Sequence, residues 1–398
     1  MNYMTKITTP EDHGPATKTP ARDGRDLRLD LFRGLANWAI FLDHIPNNAV
    51  AWLTTRNYGF SDAADLFVFI SGYTAALAYS KPMRRDGFWA GAVKLMRRVW
   101  QIYVAHILLF VVYVAAIGWV AQTYRHSHLL DEFNVAGLIA NPIGYLTAGL
   151  LLKFKPLNMD VLPLYIVLMA FFPVVLRAIL ALPNATLLCS LGLYFLAPLL
   201  GWNLPAWPEG VWYFNPFAWQ LLFVLGAWSA LGGATQAGWL LTSPAALGVC
   251  ILYLVFALIV ALPQNLGMQS SALASVSNGL AIDDKTNLAP SRLLHFMALA
   301  ILTVHLVPRR SRWLGSPVLR PMLLCGRHSL EVFCVGIFLS FVGHFLLELI
   351  SDSLPMQLAV SIGGIAILIA VAWLRSWSPK DSRNPSGPDP SSADARRQ

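Results

Sequence analysis

The sequence predicts an all-α, polytopic membrane bundle of about ten transmembrane helices with both termini cytoplasmic. Three observations carry that expectation. Hydrophobic residues fill 56% of the 398 positions, charged residues only 13%, and the mean hydropathy is +0.54; a soluble domain carries roughly 25% charged residues. Apolar runs recur at the roughly 20-residue length that a helix needs to cross hydrocarbon. The runs are continuous, whereas barrel strands would show short alternating segments. Spans this dense argue for one bundle rather than two or three soluble domains.

In order along the chain, the spans fall near 31–50, 62–80, 99–122, 160–180, 186–202, 212–230, 238–262, 293–307, 323–350 and 355–375. Residues 1–24 read as a disordered cytoplasmic amino terminus, 25–375 as the transmembrane bundle and 376–398 as a disordered cytoplasmic tail. The first apolar run follows a polar start and lacks a small-residue cleavage site, so no cleavable signal peptide is expected. An eleventh stretch, 135–152, is short and carries Asn141-Pro142 and Gly144 in its middle. Charge argues against its crossing. With ten spans, 22 Lys and Arg lie on the inner side and six on the outer; with eleven, the counts become 15 and 13. Positive residues favour the cytoplasmic side, so 135–152 is expected to lie in or dip into the outer face. The same bias explains the net charge of +8 without nucleic acid as a partner. Cys189, Cys250, Cys325 and Cys334 show no CxxC or Cys/His spacing, so neither a disulfide framework nor a metal site is expected. No pair of Gly/Pro-broken spans repeats between the two halves, as a transporter would suggest.

This topology sends the run 203–220, NLPAWPEGVWYFNPFAWQ, to the outer face. Trp207, Trp212, Tyr213 and Trp219 offer faces that stack on sugar rings. Asp283 and Asp284 offer carboxylates that accept hydrogen bonds from sugar hydroxyls. The plain alternative for the aromatics is the interfacial belt of any membrane protein.

The first helix carries the sharpest signal. In RLDLFRGLANWAIFLDHIPNN, Asp30, Arg33, Asn37 and His44 are separated by 3, 4 and 7 residues, which places them on one helix face. Ionisable residues inside a span are costly and usually functional. His44 falls in the outer half, and Pro46 ends the helix. The next helix opens SDAADLFVFISGY, bringing Asp62 and Asp65 in from the outer side at a similar depth. A histidine beside a carboxylate is the usual arrangement for a general base. His44 is therefore the expected base, with Asp62 or, preferably, Asp65 orienting its ring. The alternative is a histidine that merely hydrogen-bonds within the bundle, the role assigned by default to His106, His295, His305 and His344. Ser71-Gly72, deeper in the second helix, is expected to admit a neighbouring backbone. Arg33 and the basic 94–98 segment, KLMRR, with Arg97 and Arg98, can pair with phosphates from the inner side; for 94–98, ordinary positive-inside anchoring is the alternative.

The runs RDLRLDLFRGLANWAIFLDHIP and FSDAADLFVFISGYTAALAY resemble the OpgC family of glucan-modifying proteins, and so do DVLPLYIVLM, WYFNPFAWQLLFVLG, DDKTNLAPSRLLHFMALA and GRHSLEVFCVG, in the same order. The likeness covers residues 25–350. That family is similar to the wider acyltransferase-3 type of membrane acyltransferase. The resemblance implies O-succinylation of an osmoregulated periplasmic glucan at the bacterial inner membrane. Succinyl-CoA, or another acyl-CoA, would serve as a cytoplasmic donor substrate rather than a permanently bound cofactor. In the wider group a first-helix histidine is essential, and it matches His44; an arginine near the cytoplasmic end of that helix matches Arg33. Asp43 departs from the pattern, standing where many relatives carry an amide. Two rival functions share the polar track: an O-acetyltransferase of a surface polysaccharide, and a transporter or flippase of a lipid-linked sugar. Oxyanion donors have no candidate in the sequence.

Overall fold

The structure is a computed structural model that describes residues 26–124, 128–268, 270–282, 284–309 and 311–377. The termini expected to be disordered, 1–24 and all but the first two residues of 376–398, lie outside the described residues. Among the described residues, ten long helices and no strand build the chain: α1 Leu27–Asp43, α2 Ala63–Arg85, α3 Phe88–Thr123, α4 Val161–Ala181, α5 Pro183–Leu199, α6 Pro216–Trp228, α7 Pro244–Asn265, α8 Pro290–Leu306, α9 Ser329–Leu349 and α10 Leu354–Ser376. Seven helices, counting α6 as running on to Gln236, are long and apolar enough to cross a membrane, and α5 and α8 are shorter apolar helices. The protein is an all-α polytopic bundle.

Helix boundaries follow cap chemistry. Proline occupies the first turn of α5, α6, α7, α8 and α10, where its missing N–H has no helical partner to lose. The side chains of Asp26, Asn215 and Ser243 cap α1, α6 and α7 by accepting a backbone N–H. Three elements bear on the expected spans, and the last two differ from them. The doubtful 135–152 stretch forms two short helices, Gly137–Ala140 and Pro142–Leu150, broken at Asn141; the residue before a proline avoids the helical region. The single span expected over 323–350 is two helices, Arg320–Arg327 and α9, separated at His328. α3 runs 36 residues, longer than the predicted 99–122 by three turns at its start.

Two close backbone crossings hold the bundle. A Cβ on Gly72 would collide with the Phe223 carbonyl, and one on Gly226 with the Phe69 carbonyl, so α2 and α6 touch backbone to backbone. This is the approach expected at Ser71-Gly72. Gly34 and Gly326 do the same for α1 and the helix Arg320–Arg327, against the carbonyls of Met322 and Asp30. The core of the bundle includes the aromatic rings of Phe172, Trp219 and Phe223. α7 instead exposes Val249, Leu252, Val255 and Ile259, the surface a lipid-facing helix presents.

The connections 44–62, 128–160 and 200–215 and the described residues of 266–289 gather at one end of the bundle. Asn265 donates to the Asn57 carbonyl at 3.1 Å. The N–H of Asn215 donates to Thr286 O, that of Trp207 to Lys153 O, and that of Leu157 to Phe133 O. These bonds, three of them between segments far apart in sequence, make one continuous polar cap, and the helix ends beneath it frame the site.

Candidate functional site

Under this cap lies a cavity of about 670 Å³, walled in part by Asp43, His44, Arg56, Asp62, Asp160, Tyr213, Lys285, Arg292 and His344. α1 delivers His44 to it. The helix stops at Asp43, because Pro46 has no N–H to offer the carbonyl of Leu42. His44 is the capping residue just beyond the end. Its backbone N–H reaches Ile40 O at 3.3 Å, and its Nδ1 lies 2.5 Å from the same oxygen. A carbonyl oxygen only accepts, so Nδ1 carries the ring proton and donates it, and Nε2 keeps its lone pair. Burial, only partly offset by that bond, pulls the imidazole down to about 4, so the ring is neutral at pH 7.

α2 opens with a reciprocal cap. The Asp62 carboxylate accepts the Ala64 N–H at 2.8 Å, and the Asp65 carboxylate accepts the Asp62 N–H at 2.9 Å. The same carboxylates hold two cations. Lys285 Nζ lies 2.6 Å from Asp62, and the Arg292 guanidinium donates to Asp62 at 3.2 Å and to Asp65 at 2.8 Å. Burial alone would raise the Asp62 carboxyl, but Lys285 and Arg292 outweigh it and hold it well below the ordinary carboxylate range. Asp65 is 0% and Arg292 7% exposed, so neither charge is solvated and each depends on the other.

This geometry corrects the role expected for the two aspartates. Neither orients the ring of His44: the Ile40 carbonyl does, while Asp62 and Asp65 are engaged by the helix cap, Lys285 and Arg292. The signal was in the sequence, since Asp62-x-x-Asp65 ahead of an apolar run is a capping-box pattern.

The aromatic run divides. Tyr213 is 50% exposed and lines the cavity, as a sugar-stacking residue requires. Trp219 is 0% exposed and belongs to the core, where its indole N–H donates to Lys285 O at 2.9 Å. Trp212 is buried, with the Lys155 ammonium 4.0 Å above its ring, so that face is already covered. Trp207 packs edge-on against Tyr145 with ring centres 6.2 Å apart. Three of the four aromatics therefore serve packing, Trp207 and Trp212 in the cap and Trp219 in the core. Asp284 folds its own loop by accepting from the N–H and the side-chain amide of Asn287 at 3.0 and 3.1 Å. Asp283 lies outside the described residues.

Of the expected phosphate partners, Arg33 is half-buried on α1, Arg97 is exposed on α3, and Arg98 donates to Gln101 at 3.2 Å. α1 packs mainly on the helix Arg320–Arg327, on α9 and on α2, whereas α3 packs mainly on α4 and α2, so these arginines do not form one cluster. The face opposite the polar cap has a cavity of about 640 Å³ between Arg320–Arg327 and α10, with Arg320 and Arg327 in its wall.

Lys285 and Arg292 were legible only as positive residues on the outer side, and Arg292 stands at the head of the apolar run RLLHFMALA. A charge there is an intramembrane charge, and its carboxylate partners lie 227 and 230 positions away. His295, set aside by default, bonds through Nδ1 with the Ser61 hydroxyl at 2.7 Å, next to Asp62. No curated protein and no solved structure gives a significant match to the chain. A family model described as OpgC protein matches residues 25–380, so the chain belongs to the OpgC family, a membership that supports an acyltransferase-like role in glucan modification at a membrane.

Proposed function

We propose that this protein transfers an acyl group, succinyl in our reading, from cytoplasmic acyl-CoA to a hydroxyl of a periplasmic glucan, at the bacterial inner membrane. The observation that carries the reading is His44, a neutral imidazole in the wall of a polar cavity, with Nδ1 bonded to a backbone carbonyl and Nε2 left as a base. A sugar hydroxyl is a poor nucleophile at neutral pH. Nε2 takes its proton as the oxygen attacks the thioester carbonyl, and the tetrahedral oxyanion then collapses with loss of the CoA thiolate. The imidazolium returns the proton to that sulfur, so the ring ends as it began. A positioned base contributes on the order of 10²–10⁴-fold. The fixed cations Lys285 and Arg292 sit in the same wall, where they favour an anionic transition state and a succinyl carboxylate alike. Tyr213 is the best-placed ring for stacking on the acceptor. The CoA phosphates need cationic partners, for which Arg33, Arg97 and Arg98 remain candidates beside Arg320 and Arg327.

The test is mass spectrometry of envelope glycans from a deletion strain complemented with the parent or with His44→Ala at equal expression. The parent is expected to restore a succinyl adduct, which adds a negative charge, and His44→Ala to restore none. An acetyl adduct would move the donor assignment; parental acylation by His44→Ala would remove the mechanism.

A further inference from the structure

The residues around His128 and His344 play no part in the chemistry above. Two segments carry the same spacing: His128-x₃-Glu132 in the short helix His128–Glu132, and His344-x₃-Glu348 near the end of α9. Residues four apart share a helix face, so each segment offers one imidazole and one carboxylate on one side. The two sides face each other at the rim of the polar cap. His128 Nε2 meets one oxygen of Glu348 at 2.5 Å; His344 Nε2 lies 3.4 Å from the other and 3.3 Å from a Glu132 oxygen. One donor atom each from His128, Glu132 and Glu348 falls within 4.8 Å of the others.

We propose that His128, Glu132, His344 and Glu348 form a binding site for a divalent transition-metal ion, with zinc as the best fit. Spacing supports this. Zinc bonds of about 2.0–2.1 Å to nitrogen and oxygen set tetrahedral ligands roughly 3.3–3.4 Å apart. The contacts of His344 have that length, whereas a charge-assisted hydrogen bond would close to about 2.7–2.9 Å; the shorter contact of His128 with Glu348 is such a hydrogen bond and has to open to admit the ion. Charge supports it too: two carboxylates with two neutral imidazoles leave two negative charges for a dication. Two nitrogens and two oxygens suit zinc rather than calcium or magnesium, which take oxygen alone. His128 and both glutamates are exposed, which gives the ion access, and His344 also lines the cavity. The ion would pin the short helix to α9 beside the site. A search for cysteine-and-histidine metal patterns passes over a site whose halves are His-x₃-Glu pairs 216 residues apart, from His128 to His344.

The test uses the full chain in detergent, stripped with a chelator and titrated with Zn²⁺ against a chromophoric competitor. One Zn²⁺ per chain is expected, held in the presence of excess Mg²⁺. Glu348→Gln and His128→Gln, both changes at exposed positions, should each weaken binding at least roughly 10-fold. Zn²⁺ should also raise the melting temperature of the parent and of neither variant. If the parent binds no stoichiometric Zn²⁺, or both variants bind it as the parent does, the four side chains are only a pair of ion-paired contacts and the proposal is overturned. The readout is metal binding, so the result does not depend on the acyl-transfer reading.

Discussion

The two ends of α1 carry the same kind of residue and use it differently. Asp30, near the start, lies 3.7 Å from Arg327, and further along the Asn37 side-chain amide donates to the Ser329 hydroxyl at 3.2 Å. Both contacts fasten α1 to the chain on either side of the break at His328. At the other end His44 gives its ring proton to its own helix and keeps a lone pair in a cavity wall. One polar stripe thus divides into a part that fastens and a part able to react. What separates them is which donors and acceptors are already taken, not residue type or spacing.

The largest effect expected from this contrast is in rate. His44→Ala should lower acyl transfer by about 10²–10⁴-fold, while Asn37→Ala should keep near-parental transfer and lose only about 1 kcal/mol of stability. Transfer assays and thermal melts on the two purified variants check it, and equal rate losses would erase the division of the stripe.

The next largest effect is in stability. Arg292→Met strands the buried carboxylate of Asp65, while Asp62 keeps Lys285, and breaking a buried pair costs about 3–5 kcal/mol. A steep fall in detergent melting temperature is expected. A parental melt would mean that the capping box alone secures this end of α2.

A third comparison sets Tyr213 against Trp219. Tyr213→Ala should raise the KM for the acceptor glycan with the melt unchanged. Trp219→Ala, which empties a core site and releases the bond to Lys285 O, should lower the melting temperature, with a core cost of about 3–5 kcal/mol.

The smallest effect is a pH dependence from the loop before α4. Burial lowers the Lys155 ammonium to about 8 from 10.5, and burial raises the Asp160 carboxyl to about 6 from 3.8. Between pH 3.8 and about 6 the folded chain holds a proton at Asp160 that the unfolded chain has released, so this contribution to stability falls as pH rises. Between about 8 and 10.5 the unfolded chain binds the extra proton at Lys155, and stability rises with pH. Asp160→Asn should flatten the acid window in melts taken across pH and, by removing the charge that holds the Lys155 ammonium up, widen the alkaline one.

The bundle was legible because its signal is local: an apolar run is read from consecutive residues, and α2, α4, α8 and α10 begin within about three residues of the predicted spans. The 135–152 stretch was doubtful for its length and for Asn141-Pro142 and was set aside on charge, and that pair is where the stretch breaks. The break at His328 was not legible, because it serves the crossing of Gly34 with Met322, far away in sequence. The site divides along the same line. His44 stood out on its own helix. Its orienter did not, because a backbone carbonyl such as that of Ile40 leaves no mark in residue identity. Nor did Arg292, whose meaning depends on carboxylates on another helix. Trp212 and Tyr213 are adjacent and equally aromatic; only the loop carrying Lys155 decides which ring is covered.

The early stop of α1 makes the reactivity proposed for His44 depend on a residue that need never touch substrate. Were the helix to wind one further turn, the imidazole would stay in register with the wall of the bundle, and its ring would be free to seek a partner elsewhere. Pro46 denies that turn, and the chain leaves the helix with the ring folded back on the last carbonyl it can reach. The tautomer of the proposed base is thereby chosen by punctuation in the backbone. An alanine at position 46 could quiet the enzyme while every side chain of the site remained in place.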